Sequence, residues 1–187
     1  MQMTDSVQPG DRTQWRKWLQ RHHENESEIW LILLKRPGQK DLTYLDAVEE
    51  AMCFGWIDGI GKTYSDTQKA QRFTPRRKRS HWTELNKARV RRLIQLGRMT
   101  PAGESTLPEL YADFKIANDI IEAIQMQPDA WTHFQSFPDL YRRVRISYIE
   151  EMRKRPDEFG KRLNHFIRKT AAGKMFGNWN DDGRLTQ

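Results

Sequence analysis

Residues 29–34, Ile-Trp-Leu-Ile-Leu-Leu, are the longest apolar run in the chain and are apolar on both faces. An amphipathic helix or a half-exposed strand would alternate polar and apolar positions, and this run does not. Its short length, its β-branched and aromatic content and the Pro37-Gly38 break beyond it predict a central strand rather than a helix. Six residues are far too few to cross a bilayer, which takes about 20. The fold must therefore be built around a small sheet.

The flanking sequence supplies the other layers. Residues 1–10 are polar and end in Pro9-Gly10, which predicts a loose leader. Trp15, Trp18, Leu19 and His22 recur at helical spacing. Thr43 with Asp46 three residues later is a helix-start signal, and Leu45, Val48, Ala51 and Met52 give that helix its apolar stripe up to Gly55. Residues 56–60 read as a second strand and 71–74 as a third, closed by Pro75, with a turn near Ser65-Asp66 making the pair antiparallel. Either Ser80 or Thr83 then caps a helix that carries Val90, Leu93 and Ile94 and ends at Gly97.

From Thr100-Pro101 onward the chain reads as all helical. Helices are expected over 116–126 and 129–134, then one lined by Tyr141, Val144, Tyr148 and Met152. A last helix is lined by Phe159, Leu163, Phe166, Ile167 and Thr170, with a frayed polar tail after Gly177. The predicted class is α+β: a small antiparallel sheet with flanking helices over 11–103, followed by a C-terminal helical unit over 104–176. With 187 residues and seven Trp, each unit can bury a core.

Charge is concentrated in one place. Residues 72–92 hold nine basic side chains against Glu84 alone, a balance of +8, while the whole chain carries +7. Everything outside this stretch therefore sums to about −1, and such a concentrated field attracts anions. An anionic ligand or a nucleic acid is the expected partner. The single cysteine, Cys53, excludes an intramolecular disulfide framework and a cysteine-rich zinc site. Residues 1–11 lack a basic segment followed by an apolar one, so no secretory signal is expected and the predicted location is cytoplasmic. The five histidines are scattered, and no spacing points to a metal or a cofactor.

Two segments could cooperate chemically. If the 56–60 and 71–74 strands pair with their faces aligned, Asp58 can hold the guanidinium of Arg72 while Trp56 offers a flat surface beside it. Arg76 and Arg77, in the turn after Pro75, would then hold an anion, with Phe73 and Trp82 available for stacking and Ser80 and Asn86 completing the surface. The alternative at the same residues is a cross-strand ion pair beside a core tryptophan. A rival from another class is an enzyme acting on a small phosphorylated or acidic substrate, with Asp58 as general base. No residue set is assigned as catalytic.

At these residues the chain resembles the bacterial YdeI/OmpD-associated family, also labelled bacteriocin-protection proteins. The likeness rests on Tyr44-Leu45-Asp46-Ala47-Val48-Glu49-Glu50-Ala51-Met52-Cys53-Phe54-Gly55-Trp56-Ile57-Asp58-Gly59 and on Arg72-Phe73-Thr74-Pro75-Arg76-Arg77. It continues through Ser80-His81-Trp82-Thr83 with Asn86, and Gly97-Arg98-Met99-Thr100-Pro101-Ala102-Gly103; a weaker likeness covers 138–173. The chain departs from the family's pattern after Gly103, where Pro108 and an acidic irregular run replace a continuing helix, and at Pro156-Asp157-Glu158-Phe159. The resemblance implies a role in stress or antimicrobial-peptide protection and no particular reaction. A cationic patch repels cationic peptides, so protection is expected to run through a nucleic acid, an anionic metabolite or an envelope regulator.

Overall fold

The computed structural model describes residues 3–78 and 80–186. They divide into two units, Met1–His81 with Val90–Pro108, and Trp82–Arg89 with Glu109–Gln187. The division is not a single cut near residue 103, because an eight-residue stretch of the basic segment belongs with the C-terminal helices.

The first unit is a four-stranded sheet with helices on one face. Strand β2 (Ile29–Leu34) is central, as its two-faced apolar pattern requires. It pairs antiparallel with β4 (Gln68–Pro75), which pairs antiparallel with β3 (Trp56–Thr63), giving the order β1-β2-β4-β3. The fourth member, β1 (Ser6–Val7), runs parallel to β2, with Ser6 opposite Trp30. Two expectations are corrected here. The sheet is mixed rather than antiparallel, and the polar leader contributes a strand that satisfies the backbone on the open edge of β2.

Helices α1 (Arg12–His22) and α2 (Tyr44–Cys53) cover the face that carries Ile29, Leu31, Leu33 and Phe73. The indole of Trp15 is fully buried against the Phe73 ring, 5.6 Å between centroids, and its N–H donates to the Ala47 carbonyl. Asp11 caps α1 by accepting from the Gln14 N–H, and Thr43 caps α2 by accepting from the Asp46 N–H. Trp30, Ile32 and Ala70 form a smaller cluster on the opposite face with Met3.

Gly55 ends α2 with a φ of +73°, a conformation glycine adopts without strain. Beyond it, α4 (Pro101–Glu104) lies tightly against the end of α2. Thr100 donates to the Cys53 carbonyl through both its N–H (3.1 Å) and its hydroxyl (2.6 Å), and a Cβ on Gly103 would collide with that same carbonyl. The Thr-Pro-Ala-Gly segment is thus a docking device whose glycine permits backbone-to-backbone approach.

Helix α3 (Glu84–Gln95) is capped by Thr83, whose hydroxyl accepts from the Asn86 N–H, so Thr83 rather than Ser80 starts it. Residues 84–89 fall in the second unit and 90–95 in the first. The second unit also holds α5 (Asn118–Gln125), α6 (Pro128–Ser136), α7 (Asp139–Glu150) and α8 (Pro156–Ala171). Its core is Ile120, Ile124, Phe134, Tyr141, Val144, Ile149, Leu163 and Phe166 with their neighbours.

Two further expectations are corrected in this unit. Tyr148 does not belong to the buried stripe of α7: Ile146 and Ile149 are buried instead, and Tyr148 is 45% exposed. The tail beyond Gly177 is not frayed. Trp179 packs edge-on to Tyr141, 5.6 Å between centroids, and buried Asp181 receives both Nε (2.6 Å) and Nη2 (2.8 Å) of Arg89. Among the described residues no helix is long and apolar enough to cross a membrane.

Candidate functional site

Register decides what the two motif strands can do together. Asp58 lies directly opposite Phe73 and Trp56 opposite Pro75, while Ile57 lies opposite Thr74. Directly opposed residues share a face, so Arg72 and Thr74 point away from Trp56 and Asp58. The expected fork of Arg72 on Asp58 does not form. On its own face Arg72 binds Glu28 instead, its Nε 2.8 Å from Oε2, and the Thr4 hydroxyl donates to the other Glu28 oxygen. These bonds from Thr4 and Arg72 hold the Glu28 carboxyl below its ordinary pKa.

Trp56 offers no open stacking surface either. It is 1% exposed, meets Trp18 edge-on, and its indole N–H donates to the His23 carbonyl at 3.2 Å. Phe73 is likewise completely buried. Trp56 and Phe73 are thus core residues of the first unit. Trp82 and Asn86 lie in the second unit, where Asn86 accepts from Nη1 of Arg89 at 2.8 Å.

Asp58 and Arg76 do come together. The Tyr44 hydroxyl donates to Asp58 at 2.6 Å. Arg76, buried at 7% exposure, is near enough to Asp58 for the carboxylate to offset part of the cost of burying the guanidinium. Burial wins, and the Arg76 pKa is lowered to about 10. Arg76 also fixes the turn that follows. Its N–H donates to the Gly55 carbonyl (2.8 Å), Nη1 donates to the His81 carbonyl (3.2 Å), and the Ser80 N–H donates to the Arg77 carbonyl (2.9 Å). From this pinned turn Arg77 and Lys78 face solvent, and neither has a carboxylate partner among the described residues. Arg79 lies outside the described residues.

Much of the basic stretch is neutralised internally. Three carboxylates from outside the stretch enter it: Arg72 holds Glu28, Arg89 holds Asp181 and Arg92 holds Glu49, while Lys87 holds Glu84, which the +8 already counts. The +8 read from the sequence therefore overstates the field presented to a partner.

Sequence reasoning missed the densest charged cluster of the first unit. Glu49 and Glu50 are buried on α2, at 1% and 0% exposure. Arg12 reaches Asp46 (2.8 Å), Glu49 (2.8 Å) and Glu50 (2.5 Å), Arg16 binds Glu50 at 2.6 Å, Arg98 binds the same carboxylate, and Arg92 binds Glu49 at 3.0 Å. Burial alone would raise the Glu50 pKa, but the hydrogen bonds from Arg12 and Arg16 outweigh it and hold the carboxyl below its ordinary value. The available signal was spacing: Arg12 and Arg16 are one helical turn apart, as are Asp46 and Glu50. Cys53, beside this cluster, is fully buried, and burial pushes its thiol up to about 11, which leaves it protonated and inert as a nucleophile at neutral pH.

Comparison with known proteins gives two family matches. Residues 7–106, more than half of the chain, match the model of a domain of unknown function, DUF8412, and the protein belongs to that family. Residues 113–173 match the model described as Bacteriocin-protection, YdeI or OmpD-Associated. That family is thus recovered in the helical segment, where the likeness read from the sequence was weaker. The motifs at 44–103, which carried most of that reading, fall within the other model. No curated protein and no solved structure matches the chain.

Proposed function

We propose that this protein is a cytoplasmic, non-catalytic binding protein that contacts a phosphate-bearing polyanion through the turn after β4. One observation carries the reading: Arg77 and Lys78 face solvent side by side, without carboxylate partners among the described residues, on a turn pinned by Arg76, Gly55, Ser80 and His81. Adjacent cations release counterions on meeting a polyanion, and because the backbone of their turn is already held, only their side chains have to be ordered. Asp58 serves this turn indirectly, by offsetting the burial of Arg76. Arg72, Trp56 and Phe73 serve it only through the fold.

The protection named in the description of the family matched by residues 113–173 would then operate through an anionic partner. Direct capture of a cationic peptide is disfavoured by a net charge of +7. Fluorescence anisotropy with labelled single- and double-stranded DNA and RNA at low salt tests the reading. Wild type should bind, and Arg77→Ala/Lys78→Ala should weaken binding about tenfold or more without shifting the melting temperature. Equal binding by the variant, or none by the wild type, refutes it.

A further inference from the structure

A second site with different chemistry lies within the helical unit. Between α7, α8 and the chain at Phe176 is a cavity of about 480 Å³, within the size range of small-molecule pockets. Its walls combine cations, Arg145, Lys161 and Arg162 with the neighbouring His165, and aromatic rings, Tyr148, Phe166 and Phe176.

The cations differ in how they are compensated. Lys161 is paired with Glu158 at 3.0 Å, and Arg162 has Glu151 at 3.9 Å and donates to the Tyr148 carbonyl. Arg145 has no carboxylate among the described residues. Its guanidinium lies 4.9 Å from the centroid of the Phe176 ring and 5.5 Å from that of Tyr148, and its buried Nε makes no hydrogen bond. Burial lowers the Arg145 pKa, with only Tyr141 and Tyr148 opposing that shift electrostatically. Gly177, at a φ of +73°, lets the chain close on this group, since a Cβ there would fall 2.9 Å from Nη1. The side chain is held in place at the cavity wall by its packing and not by a counter-charge.

Arg162 stacks on the same Tyr148 ring at 3.6 Å. Two guanidinium groups thus gather at one tyrosine ring, and Phe166 and Phe176 line the same cavity. This pairing of unspent charge with flat apolar surface fits a ligand that has both.

We propose that the cavity between α7 and α8 binds a small aromatic carboxylate, its carboxylate on Arg145 and its ring against Tyr148 and Phe176. The site is independent of the turn after β4, so either can fail without the other.

Isothermal titration of the full chain with 2-naphthoate tests it, with acetate carrying the charge alone and 2-naphthylmethanol carrying the ring alone. Naphthoate should bind at least about tenfold more tightly than either control. Arg145→Met, which keeps apolar bulk between the rings, should lose about tenfold or more in affinity, and Arg145→Lys should retain part of it. Should Arg145→Met fail to fold, two readouts decide: the rim variant Lys161→Ala weakening binding, and naphthoate-induced NMR shifts confined to α7, α8 and 176–177 in wild type. Absence of binding at millimolar naphthoate, equal binding of naphthylmethanol, or shifts elsewhere in the chain would overturn the proposal.

Discussion

Glu50 is the residue on which most of the first unit's electrostatics converges. It is fully buried and held by Arg12, Arg16 and Arg98. Replacing it with Gln leaves cations without their counter-charge, a change that costs about 3–5 kcal/mol when a buried pair loses one partner. Urea unfolding of Glu50→Gln at neutral pH should show a loss of that order. The pH dependence has a definite sign. Because the folded pKa of Glu50 lies below the ordinary 4.5, its contribution is present above that value and disappears as pH falls through the lower folded value. The stability gap between wild type and Glu50→Gln should therefore close on acidification below about 4.5, and a gap that widened would contradict the assignment. Nothing in the apolar stripe of α2 announced this role, since Glu49 and Glu50 look like the solvent side of an ordinary amphipathic helix. Burial of a carboxylate depends on arginines from α1, α3 and Arg98, and such convergence is a tertiary fact.

At the scale of elements, the joint between α2 and α4 makes the sharpest demand. Gly103→Ala should destabilise by about 1–3 kcal/mol, because the new methyl group meets the Cys53 carbonyl in a packed site. Gly97 provides the contrast: it also has a positive φ, +62°, but open space around it, so Gly97→Ala should cost only about 1 kcal/mol of backbone strain. Thermal or urea unfolding separates the two, and equal losses would refute the docking role. The tail of the second unit supplies another test. Truncation after Gly177 removes the packing of Trp179 and leaves Arg89 without Asp181, so the helical unit should lose about 3 kcal/mol or more. Circular dichroism melting measures it, and an unchanged melt would contradict the tail's structural role. Element type was largely legible, because β2's two-faced run, Thr43's cap and Gly55's stop are local signals. Parallel pairing of β1 was not, since Ser6 and Val7 carry no strand pattern of their own and gain one only beside Trp30 and Leu31. The tail was misread for the same reason: its polar residues include one whose partner lies 92 positions away.

For the molecule as a whole, the balance of charge is the central result. The basic stretch was visible in the sequence, but its use was not, because Glu28, Glu49 and Asp181 lie far from it along the chain. A one-residue question of strand register also decided that Arg72 faces away from Asp58. Within the basic stretch, Arg77 and Lys78 on the pinned turn stay exposed with no carboxylate partner among the described residues, and the helical unit separately holds an aromatic-cationic cavity. The most direct test is the salt dependence of polyanion binding. Each phosphate contact to a single strand contributes about −0.7 to the slope of log K against log salt. A partner engaging the Arg77–Lys78 turn should give a slope of about −1 to −3, whereas nine free cations would give about −6. A shallow slope that falls further in Arg77→Ala/Lys78→Ala agrees with internal neutralisation of the stretch. A slope near −6 would show that the paired arginines open to the partner, and would contradict the account.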